Sequence, residues 1–253
     1  MAKYKCLLHG IHKGECSNIN PVCVAMNGTS GNGGRVGVAN VPKDYKFTTL
    51  KNSPARQAQA SIYRALDKYV TTFERQFEGD IDDPRRRIKS LYLFSEETGT
   101  GKTTTASAVL NEWLIRHFVG SVKNGLTPLQ MPAYFLDVNE WQTLYNQFNR
   151  GGIPDDVKEK ASREYYRRME HAMKAPFAVL DDIGVRSATE GFRGDLHSVI
   201  NARTTNHLPT VYTSNIPMHE LETVFDRRLY DRVQDLCIEL NFIGTSKRGK
   251  RNG

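Results

Sequence analysis

The chain has 253 residues, 39% hydrophobic and 25% charged, with a formal net charge of +7, enough for one full-sized domain plus a small appendage. No apolar run reaches the roughly 20 residues of a membrane-spanning helix. The start, Met1 to His9, lacks the apolar stretch of a secretory signal, so a cytoplasmic protein with no membrane role is expected.

The first 26 residues hold three of the four cysteines, Cys6, Cys16 and Cys23, together with His9 and His12. So short a segment cannot build its own core, and three thiolates with one imidazole would complete a tetrahedral zinc set. Either histidine could supply the nitrogen. The spacing is loose and contains no CxxC pair, so a disordered arm with incidental cysteines is the competing reading. Residues 27–40 are glycine-rich and read as a flexible linker between this module (1–26) and a main domain spanning 41–253. Ser53-Pro54 reads as a helix cap and first residue, with Ile62, Leu66, Tyr69, Val70 and Phe73 on one face.

From residue 89 onward, apolar strands alternate with amphipathic helices. Strands are predicted at 90–95, 132–137, 176–181 and 209–214, and helices near 102–118, 139–148, 158–174 and 190–206. The alternation predicts an α/β domain with a parallel sheet flanked by helices. Within 158–174, Glu159/Arg163, Glu164/Arg168 and Glu170/Lys174 stand four apart, the mark of an exposed helix held by its own ion pairs. Cys237 lies in an apolar, strand-like run and is expected in the core. The positive net charge, with clusters at Arg85–Lys89 and Lys247–Arg251, fits a polyanionic partner, although solvated surface explains Arg85–Lys89 equally well.

Chemistry begins after the first strand. Ser95-Glu96-Glu97-Thr98-Gly99-Thr100-Gly101-Lys102-Thr103-Thr104 is a phosphate-binding loop between a strand and a helix. Gly99 and Gly101 let the N–H groups of Thr98 through Thr104 turn around the phosphates of ATP. Lys102 reaches the β- and γ-phosphates, and the Thr103 hydroxyl can ligate Mg²⁺. Glu96 stands where the full pattern has glycine, and with Glu97 it places two carboxylates that must turn away from a triphosphate. Further on, Phe177-Ala178-Val179-Leu180-Asp181-Asp182 is a strand ending in two acids. Asp181 is placed to hold Mg²⁺ through water. Asp182 would polarise the attacking water and, being one methylene shorter than the usual glutamate, would do so slowly. Thr210-Val211-Tyr212-Thr213-Ser214-Asn215 brings Asn215 beside these acids, where it could orient the water or meet the γ-phosphate.

Leu180-Asp181-Asp182-Ile183-Gly184, Leu196 to Arg203 and Leu208 to Asn215, followed by Arg227-Arg228-Leu229-Tyr230-Asp231-Arg232-Val233 and Gly244 to Arg248, resemble the AAA+ core of DnaC/DnaI-type bacterial helicase loaders. The resemblance runs from about residue 41 to 249. It implies an AAA+ P-loop ATPase, bacterial or bacteriophage, that binds the hexameric replicative helicase and places it on single-stranded DNA. It implies that Arg232 is an arginine finger reaching a neighbouring subunit's nucleotide in a ring or spiral, and that Arg248 is a sensor touching its own. In these loaders the segment after the paired acids meets single-stranded DNA; here Arg186 and Arg193 can neutralise phosphates, and Phe192 could stack on a base or simply pack. The resemblance places helicase contact on residues 1–26, since a zinc-bearing amino-terminal domain occurs in the DnaI branch. An IstB-like transposition helper, acting with a transposase on duplex DNA, shares the core and is the alternative. The Cys/His segment favours the loader. A nucleotide-regulated binding module without turnover is kept open by Glu96 and Asp182.

Overall fold

The computed structural model describes residues 4–78, 83–184 and 188–244. Two compact units emerge. One comprises the chain up to Ile88 together with Thr103–Phe135; the other comprises Lys89–Lys102 and the chain from Leu136 onward.

The first unit opens with the Cys/His segment and helix α1 (Pro21–Asn27). The side chain of Asn20 caps α1 by accepting from the Val22 and Cys23 N–H groups, and proline occupies the first turn. Residues 27–40, expected to be a flexible linker, are folded: they carry α2 (Gly34–Val38), which packs on α1. The glycines serve close backbone approach. Gly34 has φ +57°, and a Cβ there would stand 2.7 Å from the carbonyl carbon of Met26. Arg35 is buried and donates to the carbonyls of Ala25 (2.7 Å), Pro128 (2.7 Å) and Leu129 (2.8 Å). The Phe135 N–H donates to the carbonyl of Ala39 at 2.8 Å. The boundary drawn at residue 41 is therefore crossed by packing, not marked by a spacer.

Helix α3 (Ala60–Tyr69) begins later than Ser53-Pro54 predicts and tightens into a 3-10 stretch, Val70–Phe77. Its expected apolar face is buried: Ile62, Leu66, Tyr69, Val70 and Phe73. Phe73 meets Trp113 of α4 (Lys102–Lys123) edge-on, with ring centroids 4.9 Å apart.

Most of the strands belong to the second unit. The strands are β1 (Ser90–Phe94), β2 (Ala133–Asp137), β3 (Phe177–Asp181), β4 (Thr210–Ser214) and β5 (Cys237–Asn241). The sheet has the order β2-β3-β4-β1-β5, and β1 pairs in parallel with β4 and β5, as β3 does with β4. The inner strands β1, β3 and β4 are buried at every position, as continuous apolar runs covered on both faces should be. Cys237 opens β5, a partly exposed edge strand.

The helices here are α5 (Val138–Asn149), α6 (Asp155–Lys174), α7 (Glu190–Thr205), α8 (Leu221–Val224) and α9 (Arg227–Leu236). Helix α6 starts before residue 158 because Asp155 and Asp156 favour its positive N-terminal end. All three expected ion pairs form: Glu159 with Arg163, Glu164 with Arg168 (2.7 Å) and Glu170 with Lys174 (2.7 Å). Arg203 is fully buried and faces no carboxylate within bonding reach. It donates to the carbonyls of Ala172 (2.6 Å), Ala175 (2.9 Å) and Pro209 (3.0 Å) and to the Thr210 hydroxyl (2.7 Å), satisfying the last turn of α6. Burial lowers its pKa to about 10. Among the described residues, no helix is long and apolar enough to cross a membrane.

Candidate functional site

The phosphate-binding loop leaves β1 beside the end of β4, where the Ser95 N–H donates to the Ser214 carbonyl at 3.3 Å. Gly99 (φ +73°) and Gly101 (φ +105°) adopt the left-handed backbone the motif requires. Lys102 Nζ lies over the loop and donates to the carbonyls of Ser95 and Glu97, both at 3.1 Å. Glu96, Glu97 and Thr98 are exposed. The two carboxylates that sequence sets near the phosphates thus face solvent. Thr100 is buried, Thr103 is half-buried, and Thr104 turns into the core at the head of α4.

The paired acids end β3. Asp181 is buried, and its Oδ1 accepts from the Thr213 hydroxyl at 2.7 Å. Asp182 has φ +65°, a left-handed conformation that costs a residue with a Cβ. Its N–H donates to Thr213 Oγ1 at 2.8 Å, and its carboxylate accepts from Asn139 Nδ2 at 2.8 Å. Asn215 is exposed just past β4, and its Oδ1 would stand 2.5 Å from a Cβ at position 184. A side chain at 184 would have to displace that of Asn215. The second unit holds Asp181, Asp182 and Asn215 at the ends of neighbouring strands, with Asn139 and Thr213 bonded to the acids. Asn139 sits in the first turn of α5, far along the chain, and nothing in its spacing marks it. Thr213 lies inside a predicted strand, where a polar residue between Tyr212 and Ser214 was the available sign.

Arg232 is exposed on α9 and donates to Asn201 and, at 3.4 Å, to Thr205 on α7. Asp226 caps α9 by accepting from the Leu229 N–H (2.8 Å) and pairs with His197 at 2.9 Å. His197, Asn201, Asp226, Leu229 and Arg232, with Arg227 and Arg228, line an open cavity of about 490 Å³.

One expected DNA contact is corrected. Phe192 is fully buried among Trp141 (5.0 Å between centroids), Tyr145 (5.7 Å) and Tyr165 (6.5 Å), so its ring cannot stack on a base. The aromatic groove between α5 and α6 takes it because burying a phenyl ring there outweighs exposing it. Arg193 is half-buried and donates to the Ala188 carbonyl at 3.1 Å. Arg186 and Arg248 lie outside the described residues, as does the basic stretch Lys247–Arg251.

In the first unit, the sulfurs of Cys6, Cys16 and Cys23 and a ring nitrogen of His12 lie within 4.8 Å of one another. A tetrahedral zinc with thiolates at about 2.3 Å has ligand edges of about 3.7 Å, so this set needs only slight contraction. His12 Nε2 is 3.2 Å from the sulfurs of both Cys16 and Cys23, while Nδ1 donates to the Lys13 carbonyl at 3.0 Å. That bond leaves Nε2 as the free lone-pair donor. His9, the other candidate from sequence, is exposed, and its Nδ1 lies 3.5 Å from the Cys16 sulfur. Burial, then the neighbouring Cys23, pushes the Cys6 thiol up to about 12, so a thiolate there calls for a cation beside it.

A parallel sheet of this order, with a phosphate loop after β1, acids after β3 and a polar residue after β4, defines the AAA+ type of P-loop fold. The same fold is found in the solved structure of DnaI, at 19% identity and a TM-score of 0.53, covering 83% of this chain and 95% of that one. The DnaC helicase loader matches at 17% identity and a TM-score of 0.53, over 80% of this chain and 100% of that one. AMPPCP-bound DnaA from Aquifex aeolicus matches at 14% identity and 0.51, over 81% of this chain and 51% of that one. At such identities the likeness is one of fold. No protein-family model and no curated protein sequence matches the chain.

Proposed function

We propose that this chain is an ATP-dependent loader that binds a hexameric replicative helicase and delivers it to single-stranded DNA. The observation that carries the reading is the shared fold with the DnaC helicase loader over the whole of that chain, joined to a phosphate-binding loop and paired acids at the strand ends. The residues fit the nucleotide. Two left-handed glycines shape the loop, Lys102 supplies the cation, and Asp181 and Thr103 offer the hard oxygen donors that Mg²⁺ prefers. Bound there, Mg²⁺ supplies neutralisation of the charge that grows on the phosphate oxygens. Asp182 orients and polarises the attacking water, and Asn215 steadies it against the γ-phosphate. Arg232 reaches the nucleotide of a neighbouring copy in a ring or spiral, so turnover depends on assembly; Arg248 is the matching sensor. Arg186 and Arg193 contribute phosphate contacts to DNA.

The Cys/His segment holds a structural zinc through Cys6, His12, Cys16 and Cys23 and forms the helicase-facing part. Soft thiolates with one imidazole suit zinc, and a metal gives so small a segment reason to hold its shape.

The test is light scattering coupled to size-exclusion chromatography of this protein with the replicative helicase of its own source, with and without ATP. A co-eluting complex that is lost when Cys16 and Cys23 are replaced by serine supports both the loader reading and the zinc module's part in it. Absence of a complex in either nucleotide state overturns the loader reading.

A further inference from the structure

We infer that Thr213 is the positioning residue of the hydrolytic site, a single hydroxyl that sets both carboxylates; this rests on the ATPase reading above. Thr213 lies inside β4 and is buried. Its hydroxyl has one proton, which goes to Asp181 Oδ1 at 2.7 Å. A lone pair of the same oxygen accepts the Asp182 N–H at 2.8 Å. Its main-chain carbonyl accepts the Ile183 N–H at 2.9 Å. Three successive residues of the β3 exit are thus held by one residue of the neighbouring strand.

The geometry assigns each bond a task. The bond to Asp181 fixes the rotation of the carboxyl that offers oxygen to Mg²⁺. The two main-chain bonds hold Asp182 at φ +65°, a conformation the local chain does not choose for itself. That turn aims the Asp182 carboxylate away from the sheet and toward Asn139. Both acids therefore take their direction from β4, the strand whose tip carries Asn215.

Serine retains the donor and acceptor, whereas valine matches the shape and has neither. In the full-length protein, Thr213→Val is expected to raise the Mg²⁺ concentration for half-maximal turnover and to lower kcat, each by about 10–100-fold, as loss of such a supporting partner does elsewhere. Affinity for a fluorescent ATP analogue in EDTA is expected to stay within about twofold of the parent, a difference worth well under 1 kcal/mol. Thr213→Ser is expected to restore both parameters to within about threefold. Equal Mg²⁺ dependence and kcat in Thr213→Val and the parent would overturn the inference, as would failure of the serine to rescue. If the valine protein does not fold by thermal melt, Thr213→Cys, which keeps the volume with a weak donor, takes its place in the comparison. Lys102→Ala separates the two levels. Turnover in the parent that survives this change, or no turnover in the parent, removes the ATPase reading. Mg²⁺ titration of analogue binding still decides for or against Thr213, since its bond to Asp181 acts before any bond breaks.

Discussion

The side-chain amide of Asn139 donates to the carboxylate of Asp182 at 2.8 Å, tying the first turn of α5 to the acid that follows β3. A carboxylate held by an amide must give up that hydrogen bond before the same oxygen can polarise a water. Replacement of Asn139 by alanine is therefore expected to raise the rate of phosphate release by roughly threefold to tenfold, the rate equivalent of the ~1 kcal/mol one hydrogen bond contributes net. Nucleotide affinity should not move. A rate equal to or below that of the parent would show that Asn139 supports Asp182 rather than restrains it.

Gly184 faces Asn215 with no room for a side chain: a Cβ would lie 2.5 Å from Asn215 Oδ1 and 2.8 Å from Ser214 Oγ. Gly184→Ala must push Asn215 aside. A displacement near 1 Å at a reacting group costs on the order of 100-fold. The expected result is a kcat reduced by about that factor with nucleotide binding retained, read from steady-state kinetics and equilibrium titration. Unchanged kcat would remove Asn215 from the hydrolytic step.

The two histidines of the Cys/His segment are expected to behave differently. Elemental analysis of protein purified without chelator should find about one zinc per chain in the parent and in His9→Ala. In His12→Ala, zinc should fall sharply. Loss of metal from the His9 variant alone would reverse the assignment.

Phe192→Ala should act on stability and not on nucleic acid. Removing a buried phenyl ring costs about 3–5 kcal/mol, to be read from urea unfolding. Fluorescence anisotropy with single-stranded DNA, at a temperature where the variant is folded, should give the affinity of the parent. Weakened DNA binding by the folded variant would return this ring to the interface.

Glu164 predicts a pH signature for α6. Hydrogen bonds from Arg167 and Arg168 hold its carboxyl down at about 2, against the ordinary value near 4.3. A depressed pKa in the folded state stabilises the protein above about pH 4, and that contribution is lost as pH falls toward 2. Its side chain is 30% exposed, so the effect is of the order of 1 kcal/mol. Glu164→Gln should be less stable than the parent by about that amount at pH 7, with the gap closing below about pH 3. A pH-independent gap would mean that packing, not charge, holds this position.

Local pattern made much of the site legible. Strand, loop and helix follow in sequence around Lys102, and the burial of β1, β3 and β4 follows from their apolar runs. Three misreadings share one physical origin: composition does not report tertiary contact. Glycine at 28, 33 and 34 reads as freedom, yet here it allows backbones to pack within a few ångströms. Phe192 beside two arginines reads as a base-stacking loop, yet its helix turns the ring inward. His9 and His12 are equally eligible by spacing. What separates them is the turn path through Gly10 (φ +76°) and Gly14 (φ +97°), which sets His12 beside the sulfurs of both Cys16 and Cys23 while His9 meets that of Cys16. Asn139 is invisible for a related reason, since its partner is 43 residues away.

The guanidinium of Arg35 has a consequence for biosynthesis. Two of its three carbonyl partners, Pro128 and Leu129, lie 93 and 94 residues downstream. At about 5–20 residues per second, a ribosome needs some seconds to tens of seconds after Arg35 appears before those carbonyls exist. The four candidate metal ligands, Cys6 to Cys23, are all translated before it. The nascent chain can therefore close its metal-binding loop early, while the seat for Arg35 is made late. During that interval a buried cation-to-be is in water with two of its three carbonyl partners unmade.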